Sequence, residues 1–266
     1  MKFVKIIFIA SLVSLMGIAV LEAQTPLRGM SFNGATGLYT LPTGRIGWES
    51  GGNLGFDLGF HVLNRETRGQ NYIPKMSFSL FRMVELSAAL DIRPNNVTDF
   101  IGGIKLQLPN TRTAIALGFN FQTLNLSDSP HASHSTSANQ FYIAMTYAGN
   151  VFDMPAETTI FIGKTFVFNR PDSNIDFGMG FDIVLLPSWF DGIVRWITDF
   201  SNFSYSHGTS YSVYSRGVIN TGVRIDIVRV IPGLQNLKFL LDFVITDAFD
   251  TRRNFAFGFV FGLPVI

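Results

Sequence analysis

The sequence contains no cysteine, which excludes a disulfide framework, a thiolate metal site and a lipid-modified N-terminal cysteine. Only 15% of the residues are charged, well below the average for soluble domains. The formal net charge is +1, so the basic excess that nucleic-acid binding requires is missing, and we expect no nucleic-acid partner. After Leu21 no apolar run reaches the length of a membrane-spanning helix.

Apolar residues are nevertheless abundant: 47% of the chain is hydrophobic, and it contains 27 Phe. A chain this apolar without helix-length runs has either a large soluble core or many short membrane strands. The spacing of the apolar residues along the chain distinguishes the two.

The N-terminus has the layout of an export signal. Positively charged residues in Met1–Lys5 precede an apolar run from Ile6 to Leu21, and Ala23 is a plausible cleavage point. We expect residues 1–23 to be a signal peptide, with Gln24 as the first residue of the mature chain. The alternative is a transmembrane anchor helix, although the run is short for a span.

The clearest strand pattern lies at the other end, in 254–263, where apolar and small residues alternate. A period of two is the strand period. The small face fits a narrow interior, and we interpret the bulky face as lipid-facing. A sheet in hydrocarbon must then close, because an open edge would leave backbone N–H and C=O groups unpaired. The bulky face consists of Phe255, Phe257, Phe259, Phe261 and Leu263.

Similar alternation recurs along residues 50–266 and predicts a single all-β domain, a closed transmembrane up-and-down antiparallel β-barrel of about 12 strands. The connections alternate between short or proline-marked turns and longer polar loops. Short turns are typical of the periplasmic side of outer-membrane barrels. The rival fold is a soluble secreted sandwich or lipocalin-like barrel, which would need a second layer over the apolar face. We therefore expect the protein in the cell outer membrane.

Charged residues fall on the face opposite the bulky one. A one-residue slip in register would turn all of them to lipid, so we expect them inside the barrel. Arg195 and Asp199 share this face, and the near balance of signs predicts weak ion selectivity. The strand in 159–168 is ambiguous in face, and we place its lysine inward. The predicted lumen-lining residues are Asp57, Lys75, Glu85, Asp91, Arg93, Lys105, Lys164, Asp176, Asp182, Arg224, Asp226, Lys238 and Asp242.

Residues 24–49 are rich in Gly and Pro, which marks turns and not a regular element. Two interpretations stay open for this segment: a loose periplasmic lead-in to the first strand, or a segment tucked into the barrel mouth. All three Trp residues (Trp48, Trp189 and Trp196) are predicted near the periplasmic rim, where an amphipathic ring is favoured.

One motif in this segment resembles a known family. Gly34-x-x-Gly37-Leu38 followed by Pro42-Thr43-x-Arg45, ahead of a Gly-rich strand, resembles the opening motif of the YjbH-like outer-membrane proteins. The resemblance covers about a dozen residues. It implies outer-membrane placement and an association with extracellular polysaccharide production and secretion.

A twelve-stranded barrel has a backbone diameter of about 24 Å, and side chains leave about 8–12 Å of lumen. The sequence therefore predicts a narrow, weakly selective channel for small polar solutes. The alternative is a barrel with a filled lumen in a structural, adhesive or exopolysaccharide-export-associated role. The expected partners are outer-membrane lipid, the barrel assembly machinery, and small polar solutes or polysaccharide.

We expect neither an enzyme nor a bound cofactor, because no Ser/His/Asp set has helpful spacing. An outer-membrane hydrolase with Ser and His on neighbouring strands is the alternative. His131 and His134 lie three residues apart in a polar loop, where solvated side chains are favoured over a metal site.

Overall fold

The structure is a computed structural model that describes residues 27–49, 53–65, 69–94, 97–108, 113–125, 135–168, 174–206, 217–231, 237–250 and 253–265. The predicted signal peptide, residues 1–23, lies outside these ranges, as do His131 and His134. Among the described residues, no helix is both long and apolar enough to cross a membrane.

Twelve strands account for most of the described chain. A four-residue helix, α1 (Pro187–Phe190), and a 3-10 turn at Val228–Val230 lie between strands. The strands are β1 (Leu54–Arg65), β2 (Gly69–Leu80), β3 (Val84–Arg93), β4 (Val97–Leu108), β5 (Thr113–Asn125), β6 (Ser135–Val151), β7 (Met154–Val167), β8 (Asp176–Val184), β9 (Val194–Ser201), β10 (Val218–Asp226), β11 (Lys238–Thr246) and β12 (Asn254–Val265).

Each strand pairs antiparallel with its neighbours in sequence, and β12 returns to β1. This closing ladder runs from Leu54 opposite Val265 to Asn64 opposite Phe255. No strand of this sheet is an edge, so its peptide groups can all pair within the ladders. The prediction of a closed twelve-stranded all-β barrel is confirmed.

The two faces of the wall differ as the alternation predicts. In β12 the rings of Phe257, Phe259 and Phe261 keep 45%, 37% and 36% of their surface exposed, while Ala256 and Val260 point inward and are buried. Outward aromatic rings on neighbouring strands pack side by side, for example Phe243 and Phe257 at 5.1 Å between ring centroids. The barrel exterior is therefore a continuous apolar surface suited to lipid.

The connections define two ends of the barrel. We call the end that carries residues 81–83, 152–153 and 185–193 the short-turn end, and the opposite end, which carries residues 202–206, the loop end. At the turn between β6 and β7, Phe152 and Asp153 both adopt positive φ, 49° and 65°, the conformation of a two-residue hairpin turn.

The β6–β7 hairpin is longer than the sequence pattern predicts. Clear alternation of apolar residues runs to Tyr147 and strand-like sequence begins again at Thr159, but pairing continues to Val151 opposite Met154. This extension includes Glu157. Its carboxylate points into the barrel, and the sequence pattern did not predict it there.

Candidate functional site: a lumen filled by the N-terminal segment

Residues 27–49, which we call the lumen segment, lie inside the barrel. Positions 28–48 are all buried. Both ends of the segment are at the short-turn end, where Arg195 Nη1 donates to the Leu27 carbonyl at 2.6 Å and Gln107 Nε2 donates to Glu49 at 2.8 Å. Between them the chain reaches up to Asp199, close to the loop end of β9. The sequence left open whether this region is a periplasmic lead-in or is tucked into the barrel. The structure shows residues 27–49 in the lumen.

The lumen segment has little regular structure of its own. Its strand-like pairing is limited to the bridges of Met30 with Thr36 and of Gly37 with Pro42, and a few turn hydrogen bonds, such as Phe32 N–H to the Tyr39 carbonyl at 2.7 Å, add to them. Gly34 has φ of 89°, and a Cβ there would lie 2.6 Å from the Ala88 carbonyl oxygen, so only glycine fits this turn against the wall. An irregular buried segment must find hydrogen-bond partners elsewhere for its peptide groups.

Charged side chains of the wall supply those partners. The Asp199 carboxylate accepts the backbone N–H groups of three consecutive residues, 39–41, at 2.9, 2.6 and 3.3 Å. Lys75 Nζ donates to the carbonyls of Met30 and Ser31 at 2.9 and 2.8 Å. These wall ions therefore take the place that water or a strand ladder would take for the segment.

A second group of wall ions binds the returning half of the segment. Lys105 Nζ donates to the carbonyls of Thr36 and Arg45 at 3.0 and 2.7 Å. Glu85 accepts the N–H groups of Thr36 and Gly47 at 2.8 and 3.0 Å. Lys105 and Glu85 also pair with each other at 3.0 Å. One ion pair of the wall therefore binds the segment both at Thr36 and at residues 45–47.

The segment contributes ions of its own near the short-turn end. Arg28 pairs with Glu157 at 2.9 Å and with Glu49 at 3.0 Å, and Arg45 Nε lies 3.1 Å from Glu157. Removing one partner from such a buried pair leaves an uncompensated charge, which is strongly destabilising. These contacts hold the base of the segment to β7.

Other lumen ions pair within the wall. Arg224 binds Asp242 on the neighbouring strand at 2.6 Å, and His61 Nε2 lies 3.1 Å from the same carboxylate. Asp182 pairs with Arg195 at 2.8 Å, and Asp57 pairs with Lys238 at 3.0 Å. Charges thus pair between strands of the wall as well as between the wall and the lumen segment.

The loop end is filled by the residues that follow β9. Phe203 stacks on Phe161 with ring centroids 4.9 Å apart. The Tyr205 hydroxyl bonds to Gln140 and accepts from Asn120 Nδ2 at 2.9 Å. Side chains from this stretch therefore lie over the tip of the lumen segment, and the barrel is occupied from both ends.

Twelve of the thirteen predicted lumen residues lie on the inward face and are buried. Lys164 does not, and that prediction is wrong. It pairs with Phe141, whose ring is 56% exposed on the outer face, and its Nζ donates to the Asn174 carbonyl at 2.7 Å. The amine reaches toward the loop end, where a long lysine side chain on the lipid face can meet water.

Sequence reasoning missed Asp99 and Glu157 on the wall. Asp99 pairs with Arg93 at 3.1 Å near the loop end. Trp48 was predicted near the periplasmic rim as part of an amphipathic ring; it lies near the short-turn end but inside the lumen, where it is buried and its Nε1 donates to Asp57 at 2.9 Å. Within the described ranges, no group of three or more His, Cys, Asp or Glu side chains could hold a metal ion.

A closed twelve-stranded barrel with an apolar exterior and charged side chains inside is the architecture of transmembrane β-barrels of outer membranes. No family model matches the chain, and no curated protein matches its sequence. The YjbH-like resemblance therefore stays a prediction.

Several solved barrels are similar to the chain in fold. The KdgM porin, solved in complex with disordered oligogalacturonate, aligns with a TM-score of 0.49 and 9% identity over 80% of this chain and 99% of its own. Omp33, an outer-membrane protein of Acinetobacter baumannii, aligns with a TM-score of 0.46 and 11% identity over 81% of this chain and 100% of its own. LpxR from Salmonella typhimurium aligns with a TM-score of 0.46 and 9% identity over 79% of this chain and 100% of its own. At these values the likeness carries no inference about what the chain binds.

Proposed function

We propose that the protein is an integral outer-membrane β-barrel that is closed at rest by its lumen segment and conducts small polar solutes when that segment withdraws and the side chains that lie over its tip, Phe203 and Tyr205, move aside. The proposal is non-enzymatic and involves no cofactor. It places the short turns in the periplasm and the exposed aromatic rows of the wall in lipid.

The observation that carries the proposal is the path of residues 27–49. The segment enters and leaves at the same end of the barrel, so it can withdraw without breaking any strand ladder. Its polar contacts with the wall are side-chain hydrogen bonds and ion pairs, which water can replace once the lumen is hydrated. Its apolar side chains, among them Met30 and Leu38, also pack against the wall and would have to leave that packing. The wall that would then be uncovered is lined with ions.

A second candidate is a barrel that stays filled, with a structural, adhesive or polysaccharide-export-associated role. The cluster of Arg28, Arg45 and Glu157 favours it, because separating these buried ions is costly. The two candidates differ in one measurable property, conduction after removal of the segment.

Planar bilayer recording tests the proposal. We expect the full chain to be closed most of the time and a variant lacking residues 24–49 to show discrete, long-lived conductance steps. A silent deletion variant that is nevertheless folded, as judged by heat-modifiable migration on gels, would overturn the channel function and favour the filled barrel.

A cross-linked variant supplies the matched control. Thr40 in the segment and Asn220 in the wall are hydrogen bonded at 2.8 Å, and the chain has no cysteine of its own. In a Thr40→Cys/Asn220→Cys variant, bridging the two thiols with a short cross-linker should abolish the rare openings of the full chain, and cleaving the bridge should restore them.

A further inference from the structure

We infer that the lumen, once the segment has withdrawn, selects cations over anions. The inference rests on the proposed function, and it names the class of solute that the uncovered wall favours. Three observations support it: the numbers of cations and anions among the inward side chains of the strands, the wall carboxylates whose charge only the segment neutralises, and the position of the acidic side chains along the barrel.

The wall ions are unequal in number. Among the side chains that the structure describes, six buried cations and ten buried anions belong to the inward rows of the strands. The cations are Lys75, Arg93, Lys105, Arg195, Arg224 and Lys238; the anions are Asp57, Glu85, Asp91, Asp99, Glu157, Asp176, Asp182, Asp199, Asp226 and Asp242.

This count replaces the near balance that the sequence pattern predicted. Asp99 and Glu157 add two anions, and Lys164 leaves the lumen because it lies on the outer face. Carboxylates that face water are ionised at neutral pH. Over the side chains that the structure describes, the uncovered wall therefore carries a net negative charge, also when Arg229, which pairs with Asp226 at 3.2 Å from the turn after β10, is included.

The lumen segment masks part of that charge at rest. Glu157 finds its cations in Arg28 and Arg45, both in the segment. Asp199 is bonded by three backbone N–H groups of the segment, and its wall partner is the uncharged Asn220, at 2.8 Å. Lys105, Arg195, Arg224 and Lys238 also bond segment carbonyls, but each keeps an ion pair with a wall carboxylate. Among the described residues, withdrawal therefore uncovers two carboxylates without an ion pair to a wall cation, Glu157 and Asp199, against one such cation, Lys75.

Within the described strands, the buried ions near the loop end are mainly acidic. Asp91, Asp99 and Asp176 lie on the inward ends of their strands there, and Arg93 pairs with Asp99 at 3.1 Å. Rings of acidic side chains raise the local concentration of cations and repel anions, an effect that salt screens. Solutes with a positive group should thus enter more readily than solutes with a negative one.

Reversal potentials across a potassium chloride gradient test this in the variant lacking residues 24–49, at low salt. We expect potassium to permeate several-fold better than chloride. Adding Glu157→Gln and Asp199→Asn should reduce the ratio, whereas adding Lys164→Gln, a change on the outer face, should not. A pore that conducts but prefers chloride, or neither ion, would overturn the inference and leave the proposed channel intact.

A binding measurement keeps the inference testable if the deletion variant does not conduct. Calorimetry on the folded, detergent-solubilised variant should show spermidine binding more tightly than citrate, and the Glu157→Gln/Asp199→Asn change should weaken it. Equal binding of both probes, or tighter citrate, contradicts the inference. Should the deletion fail to assemble, the full chain with Arg28→Gln and Arg45→Gln, which uncovers Glu157, takes its place.

Discussion

The barrel wall and the lumen segment find hydrogen-bond partners for their buried peptide groups in different ways. The wall pairs its peptide groups with one another along twelve ladders, from β1 round to β12. The segment has two short bridges and a few turn hydrogen bonds of its own, and takes further partners from side chains of the wall. The wall is therefore ordered by itself, and the segment is ordered by the wall, so substitutions should affect the two separately.

The largest expected effect comes from breaking the wall at its seam. Removing residues 255–266 deletes nearly all of β12, which pairs with both β1 and β11. Because two strands would then have unpaired edges in hydrocarbon, we expect assembly to be abolished. The measurement is heat-modifiable migration after expression; a truncated chain that still inserts and shifts on heating contradicts the argument.

A charge on the outer face should weaken the wall without abolishing it. Phe259 lies near the middle of β12, with 37% of its surface exposed on the apolar side. We expect Phe259→Arg to lower the free energy of unfolding by about 2–4 kcal/mol, the cost of an arginine near the bilayer midplane. Urea unfolding in lipid vesicles measures it. The control is Phe259→Leu, and an equal loss in both variants would argue against a lipid-facing position.

A change in one wall ion should affect the segment and spare the wall. Asp199→Asn keeps the shape but loses the charge that binds three backbone N–H groups. Hydrogen bonds to charged groups contribute about 1.5–3 kcal/mol, so the segment should open more often. Hydrogen exchange at residues 39–41 should speed up while exchange in the strands stays slow. Asp153→Asn, in an exposed turn, should change neither.

The smallest expected effect is that of Lys164→Gln. Because this side chain lies on the outer face at the end of β7, we expect the free energy of unfolding to change by no more than about 0.5 kcal/mol. Lys75→Gln, the matched inward change, should loosen the segment, since it weakens two bonds to segment carbonyls. Equal effects from both lysines in unfolding and hydrogen-exchange measurements would contradict the two-face description.

The wall was predictable from sequence because strand parity is a local property. Once Phe257 and Phe259 point outward, Gly258 must point inward, and the same rule places Asp57, Lys105 and Arg224 in the lumen. The rule failed in β7, where apolar side chains occupy both faces. Phe161 points inward and stacks on Tyr142 with centroids 5.0 Å apart, so the alternation there gave no reliable face for Lys164.

The lumen segment could not be placed from sequence, because its bonding partners are distant in the chain. The amide of Tyr39 bonds to Asp199, 160 residues away, and no periodicity in residues 27–49 indicates this contact. Gly34 carries a local signal, a glycine in a turn, but that signal does not say which surface the turn approaches. Trp48 was misplaced for the same reason.

The seam between β1 and β12 has a kinetic consequence. Leu54 finds its partner in Val265, so the ladder that completes the sheet joins nearly the two extremes of the barrel sequence. Contacts of such long separation form slowly, and until they form β1 presents unpaired N–H and C=O groups that can pair with another chain. A nascent chain of this design would benefit from a helper that shields its first strand during synthesis of the last, which is the task we expect of the barrel assembly machinery.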